Sequence, residues 1–308
     1  MVEWDSVDWH IEPTSKCTLE CPLCDRTWFY NTFKKRLLHE INVDHLVNFL
    51  GNEKVINFCG NNGDPIYHTN FIELCNKLKN NNNTIHIVTN GSAKTQNWWE
   101  SLTTTLNEYD TITFSIDGLE DTNHIYRKNA KWNSIMNAVK IVSLSKVPMR
   151  WKFIVFKHNQ HQVDKARQLS IQLKFDDFEV EYSDRWHQLV NEFTPDKDYV
   201  DTHYLHREKV LSDKKYTFAI KPKCLKNGLP KNRLYIDAEG NFYACCYFGT
   251  YRYKFKSIFS PKDGNFNIKT HTINDILNNA RVKNFFDSTK DFETAHECCK
   301  IKCGINNG

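Results

Sequence analysis

The chain has 308 residues and a net charge of +4 at pH 7, with 25% charged and 40% hydrophobic side chains, enough for one large domain or two unequal ones with a buried core. A balance of 41 basic against 37 acidic residues argues against a nucleic-acid grip spread over the surface. No apolar run approaches the roughly 20 residues of a membrane span, and Met1–His10 carries charges but no apolar signal core, so the expected location is the cytoplasm.

Val7–Glu12 reads as a first strand, and Val43–Leu50 closes a first helix. Beyond them, short β-branched runs alternate with helical stretches. The spacing predicts strands at Lys54–Gly60, Thr84–Asn90, Thr111–Asp117, Arg150–Lys157 and Phe178–Tyr182. It predicts helices at Asn70–Lys79, Thr95–Glu108, Trp132–Leu144 and Gln162–Leu173, with Phe71, Leu74 and Leu78 forming an apolar stripe on the first of these. Six βα repeats imply a parallel sheet with right-handed crossovers. They are too few to close an eight-stranded barrel. The expected fold class is therefore α/β, a partial (β/α)6 TIM-like barrel over residues 1–185.

Ser183–Lys223 loses the alternation, and residues 186–223 are read as a linker. Tyr182, Arg185, Trp186, His187 and Tyr204 are its candidates for lining a substrate cleft or capping the barrel. Residues 224–308 form a small second domain. There Arg233–Asp237 and Asn241–Cys245 flank Ala238-Glu239-Gly240, a hairpin signal, and Ile273–Phe286 reads as a helix. A unit this short gains from a bound metal.

Eleven cysteines, most of them in tight groups near the two ends, read as metal ligands before disulfides in a chain without an export signal. Cys17-Thr-Leu-Glu-Cys21-Pro-Leu-Cys24 is a CxxxCxxC run just after the first strand, at the end of the sheet where active sites of parallel barrels gather. Three thiolates wrap one face of an iron–sulfur cubane and leave one iron open. A zinc ion completed by a distant residue is the alternative. The second group is Cys224, Cys245, Cys246, Cys298, Cys299 and Cys303. Four thiolates there suit an iron–sulfur cluster or zinc. Cys59 and Cys75 fall in a strand and a helix and are read as buried non-ligand thiols.

These motifs, in this order, resemble the radical S-adenosylmethionine (SAM) enzymes over nearly the whole chain. The CxxxCxxC run matches, with Leu23 where relatives usually carry an aromatic. Asn62-Gly63-Asp64-Pro65 resembles the GGEP segment, with Asp for Glu; Thr89-Asn90-Gly91 and Phe114-Ser115-Ile116-Asp117-Gly118, followed by Arg127, occupy the next strand ends. The resemblance implies a SAM-binding [4Fe–4S] cluster on Cys17, Cys21 and Cys24. It implies SAM contacts from Gly63, Asp64, Ser115, Asp117, Arg127 and Asn159: the Gly63–Asp64 segment on the methionine amino group, Ser115 on the ribose and Arg127 on the carboxylate. Trp28, Phe29 and Tyr30 follow the cysteine loop, where they would pack on the adenine, wall the site or fill the core.

Cys224, the Gly240–Cys245 spacing and the terminal cysteines are similar to the SPASM and twitch extensions. With six cysteines rather than seven, the resemblance implies one auxiliary [4Fe–4S] cluster on Cys224, Cys245, Cys303 and Cys299, with Cys298 as the alternative to Cys299. Cys246 stands where sulfatase-maturing relatives place a basic Asp; it is carried as a catalytic candidate, with a plain structural thiol as its other reading. The activity implied is reductive SAM cleavage and hydrogen abstraction from a peptide or protein, with electrons from a flavodoxin- or ferredoxin-type reductant and the auxiliary cluster aiding oxidation. A small-molecule alcohol or sugar dehydrogenase of the same mechanism is the alternative. A non-catalytic zinc module is the alternative of another class. Because the first strand begins so near Met1, no N-terminal leader-binding domain is expected, and neither a membrane nor a nucleic-acid partner is expected.

Overall fold

A computed structural model describes residues 7–183, 192–199, 218–250 and 266–306. Six strands follow one another in chain order across a parallel sheet: β1 (Asp8–Ile11), β2 (Val55–Phe58), β3 (Thr84–Thr89), β4 (Thr111–Ser115), β5 (Met149–Ile154) and β6 (Asp177–Glu181). Sequential right-handed crossovers put every connecting helix on the same face, and the sheet curls as a partial barrel. Those helices are α2 (Val43–Leu50), α3 (Phe71–Asn80), α4 (Gln96–Thr105), α6 (Trp132–Val142) and α7 (Val163–Gln172). Two shorter helices complete the series, α1 (Asp25–Phe33) after the first cysteines and α5 (Asn123–Tyr126) after β4. Neither α1 nor α5 was legible as a separate element. The first four observed strands lie within the expected ones, whereas β5 and β6 each begin one residue earlier than expected and end sooner.

Alternation along each strand divides the sheet. Trp9, Ile56, Phe58, Ile85, Ile87, Phe114, Trp151 and Phe153 are buried under the helices. The opposite face carries His10, Asn57, His86, Thr113, Lys152 and Glu181, all partly exposed. Parallel register aligns His10 with Asn57 and His86 in one row, and Ser115 with Lys152 and Glu179 in another. The helix-covered face is thus an apolar core and the open face is a polar trough.

The second domain does not stand apart from this sheet. In that domain β8 (Leu225–Lys226) and β9 (Leu229–Pro230) pair with each other, and the hairpin strands β10 (Leu234–Ile236) and β11 (Phe242–Tyr243) extend the sheet on the β1 side, β10 running parallel to β1 and antiparallel to β11. All three residues of β10 are buried, as a strand covered on both faces must be. Gly240 closes the hairpin at φ +85°, a left-handed conformation that favours glycine.

The expected helix Ile273–Phe286 is two helices, α9 (Ile273–Asn278) and α10 (Ala280–Ser288). Asn279 breaks them: its backbone is extended and its Oδ1 accepts from Arg281 N, starting a new helix. Within the expected linker, Phe193 is buried against Tyr126 and Phe156; Arg185, Trp186, His187 and Tyr204 lie outside the described residues. Among the described residues no helix is long and apolar enough to cross a membrane.

Phe114 is fully buried between Trp99 and Phe175, with ring centroids at 5.7 and 6.1 Å. Phe114→Ala is expected to cost about 3–5 kcal/mol of folding stability, measured by urea denaturation. A loss under 1 kcal/mol would mean that this site collapses around the cavity.

Candidate functional site

The first cysteine group sits on the loop between β1 and α1. Cys24 is the residue preceding α1, with an extended backbone that ends the loop; its N–H donates to Cys21 O at 3.1 Å, and Trp28 N donates to Cys24 O. Leu23 is buried with Tyr126, Phe156 and Phe193, so its aliphatic side chain completes an aromatic cluster and anchors the loop. Cys17 Sγ accepts from Leu19 N at 3.4 Å and from Asn90 Nδ2 at 3.7 Å.

Cys17, Cys21 and Cys24 line one open pocket of about 160 Å³ together with Gly63, Asp64, Ser115 and Arg127. Four elements of the resemblance thereby meet at the same end of the sheet. The pocket also takes in Arg26, Cys59 and Asn90. Cys75 is buried in α3 as expected. Cys59 is not merely a core thiol: it follows β2 and forms part of the wall. Trp28, Phe29 and Tyr30 do not line the pocket; Trp28 and Tyr30 are 55% and 42% exposed on α1.

Buried carboxylates hold the loops around this pocket. Glu12, at the end of β1, is 1% exposed, and its Oε1 accepts from Asn62 N and Gly63 N, both at 2.7 Å. Its Oε2 accepts from Tyr235 OH at 2.5 Å. Burial raises its pKa to about 7 against the pull of these donors. Asp64 accepts from Thr89 Oγ1 at 2.9 Å, from Asn90 N at 2.7 Å and from Ile66 N at 3.2 Å. Burial raises its pKa as well, opposed by those bonds and by Arg127. Gly63 is needed where it stands: a Cβ there would lie 1.9 Å from Thr14 O, on the cysteine loop.

Arg127 forms a buried ion pair with Asp117 at 2.8 Å. Burial opposes its charge, but Asp117, Cys21 and Asp64 keep its pKa above the usual value. Asp117 and Asn159 do not line the pocket. Asp117 Oδ1 accepts from Ile154 N at 2.9 Å, and Asn159 Nδ2 donates to Asp117 O and Ile154 O. Both lie behind Arg127 as its support.

The donor set fits the group the resemblance implies. Three soft sulfur donors favour an iron–sulfur cluster or zinc over hard cations. Arg26 Nε is buried without a hydrogen-bond partner among the described residues, a donor aimed at a site that holds negative charge. Burial pushes the Cys17 and Cys21 thiols up to about 12, against the pull of Arg26 and Arg127. Loading a metal group must therefore displace protons. Among the described residues no three Cys, His, Asp or Glu side chains close around a single ion.

The second cysteine group is brought together by α11 (Glu297–Cys303) and two short strands, β7 (Phe218–Ile220) and β12 (Gly304–Asn306). Gly304 pairs with Ile220, and Lys221 N donates to Cys303 O at 2.9 Å, which carries Cys303 toward Cys224. Cys299 and Cys303 are four apart on α11 and share a face; Cys298, like Cys299, is buried. Burial, then repulsion from Cys246, Cys224, Cys298 and Cys299, holds Cys245 well above its usual pKa. Burial pushes the Cys224 thiol up to about 12, with Cys303 adding to it. Cys246 opens the helix α8 (Cys246–Thr250); it is half-buried and does not line the pocket.

Sequence reasoning passed over Glu12, Arg26 and Tyr235. A lone acid ending the first predicted strand, beside apolar Ile11, was the available signal for Glu12.

Residues 11–165, half of the chain, match the family described as the radical SAM superfamily, and residues 224–304 match the iron–sulfur cluster-binding domain called SPASM. Among solved structures, the chain resembles Streptococcus suis SuiB bound to its precursor peptide SuiA, with a TM-score of 0.61 and 13% identity. That match covers 90% of this chain and 66% of SuiB, so the chain spans about two thirds of its relative's length. SuiB bound to S-adenosylmethionine matches with a TM-score of 0.55 and 12% identity, covering 96% of this chain and 77% of that one.

Between pH 4.5 and 7 folded Glu12 holds a proton that the unfolded chain has released, so its contribution to stability falls as pH rises through this window. Wild type is expected to lose stability relative to Glu12→Gln between those values in urea titrations. A difference independent of pH would contradict the burial of a titrating carboxyl.

Proposed function

Since the chain belongs to the radical SAM superfamily and is an enzyme with a SPASM-type iron–sulfur domain, we propose that it modifies a peptide or protein. In this reading Cys17, Cys21 and Cys24 hold the SAM-cleaving cluster, and Cys224, Cys245, Cys299 and Cys303 hold one auxiliary cluster. Residues 1–185 form the catalytic barrel, 186–223 its link and 224–308 the auxiliary unit. When bound, these clusters would supply one-electron reductive cleavage of SAM and a sink for an electron from the substrate.

The protein's own residues bind and orient. Gly63 and Asp64 would hold the SAM amino group, Ser115 the ribose and Arg127 the carboxylate. Asp117 and Asn159 fix Arg127 and the end of β5. The observation that carries this reading is the convergence of the three cysteines with Gly63, Asp64, Ser115 and Arg127 on one pocket. Cys246 is the candidate base for the proton that an oxidised substrate releases; it adjoins Cys245, and its carbonyl accepts from Asn61 Nδ2 at 2.9 Å, beside the pocket.

A peptide suits the open face of the sheet, where Lys152 pairs with Glu181 at 2.5 Å beside the Ser115 row. Polar groups on a trough pair with backbone amides and side chains of an extended chain. SuiB, solved with its precursor peptide, supports the same class. The reductant is proposed to be a small acidic flavodoxin- or ferredoxin-type protein docking on α1, which begins next to Cys24. That helix buries no residue, leaves Trp28, Tyr30 and Phe33 exposed, and runs into exposed Lys34, Lys35 and Arg36. Charge complementarity there would steer an acidic partner.

Two measurements test this. Iron analysis after oxygen-free reconstitution is expected to give about eight irons per chain, falling to about four when Cys17, Cys21 and Cys24 are replaced with Ala, as two four-iron clusters require. Zinc in both sites would overturn the reading. A candidate precursor peptide encoded beside the gene is expected to speed SAM consumption and to change mass; stimulation by small alcohols instead would move the substrate to the dehydrogenase class.

Charge reversal of Lys34, Lys35 and Arg36 to Glu is expected to slow reduction by flavodoxin about tenfold at low salt. Reduction by dithionite would be unchanged. Equal slowing with both reductants would remove α1 as the docking face.

A further inference from the structure

Among the described residues, hydrogen bonds link the loop Gly60–Asp64 to the C-terminal part of the chain by two routes. The first runs through Glu12. This carboxylate accepts from the amides of Asn62 and Gly63 with one oxygen and from Tyr235 OH with the other. The second joins Asn61 Nδ2 to the carbonyl of Cys246 at 2.9 Å. Glu12, Asn62 and Gly63 precede the linker; Tyr235 and Cys246 follow it.

Tyr235 is held from every side. It pairs with Tyr243 across the hairpin, with ring centroids at 6.0 Å. His10 meets it edge-on at 5.1 Å. Gly249 of α8 presses its backbone on the ring: a Cβ there would lie 2.2 Å from Tyr235 Cε1. The phenol stays protonated, because burial and the neighbouring Glu12 and Asp237 push its pKa well up. It is therefore a fixed donor. Cys245 follows Tyr243 by two residues, so the segment that orients Tyr235 also carries a candidate ligand of the auxiliary cluster.

We infer that Tyr235 and Glu12 are positioning residues for SAM, through which the hairpin of the C-terminal domain sets the shape of loop Gly60–Asp64. The inference rests on the proposed role of that loop in holding SAM. Two amide donors and one phenol share a single carboxylate, so loss of the phenol leaves one carboxylate oxygen buried and unpaired. The carboxylate then shifts or takes up a proton, and its grip on the two amides slackens. Gly63 has no slack to absorb this, since it packs backbone against backbone on the cysteine loop.

The test uses the full-length chain with Tyr235→Phe, which keeps the ring and removes only the donor, and with Glu12→Gln. In the metal-free protein, hydrogen exchange at the amides of Asn62 and Gly63 is expected to speed up about tenfold in Tyr235→Phe, the scale of one hydrogen bond to a charged group. In the reconstituted protein, iron content is expected to stay at the wild-type level. The Kd and KM for SAM are expected to rise about tenfold with kcat nearly constant. The double variant is expected to be no worse than the more affected single one, because both changes break one relay.

Unchanged amide protection and unchanged SAM affinity in Tyr235→Phe would overturn the inference, as would full additivity of the two changes. If wild type itself failed to bind SAM, the proposed function would fall, while the exchange rates would still decide whether the relay exists.

Discussion

A buried carboxylate must have its oxygens hydrogen-bonded or give up its charge, and the active end of this sheet is built on that requirement. Glu12 after β1 takes the amides of Asn62 and Gly63, beyond β2. Asp64 takes Thr89 and Asn90, at the end of β3. Asp117, after β4, takes the amide of Ile154 at the end of β5. Each acid reaches sideways to a neighbouring strand end and freezes the loop there. Strand-end loops, otherwise the most mobile parts of a parallel fold, become a rigid rim.

That rim explains what the pocket contains. Gly63 and Asp64 are presented because Glu12 fixes the loop carrying them. Arg127 faces inward because Asp117, 2.8 Å away, balances its charge in a buried place. The cysteine loop closes on the same rim, with Asp64 N donating to Lys16 O at 3.0 Å. The C-terminal hairpin joins beyond β1 and donates the Tyr235 hydroxyl to the first of these acids. The Gly60–Asp64 loop, the cysteine loop and the C-terminal hairpin are thus parts of one hydrogen-bonded assembly rather than three modules in contact.

The barrel was legible in the sequence because its signals are local. Alternation in runs such as Thr84–Thr89 and the stripe of Phe71, Leu74 and Leu78 need only their own neighbours. The cysteine spacing and the turn motifs after successive strands placed the pocket for the same reason. What escaped depends on contacts distant in the chain. Nothing near Tyr235 announces its partner Glu12, 223 positions away. Leu234-Tyr235-Ile236 reads as a hairpin arm but not as a neighbour of β1. Helix α1 escaped because its aromatic residues fall on no single face, and none of them is buried. Asn279 was missed as a break because an Asn within an apolar pattern is an ordinary helix residue until its side chain caps the next helix.

The most direct test of the account is the release of 5′-deoxyadenosine by the oxygen-free, iron-loaded protein given SAM and dithionite, with Cys21→Ala beside it. The account requires the nucleoside from wild type and none above background from the variant. Silence from wild type with a full complement of iron, or equal release from both proteins, would mean that the pocket beside Cys17, Cys21 and Cys24 is not where SAM is cleaved.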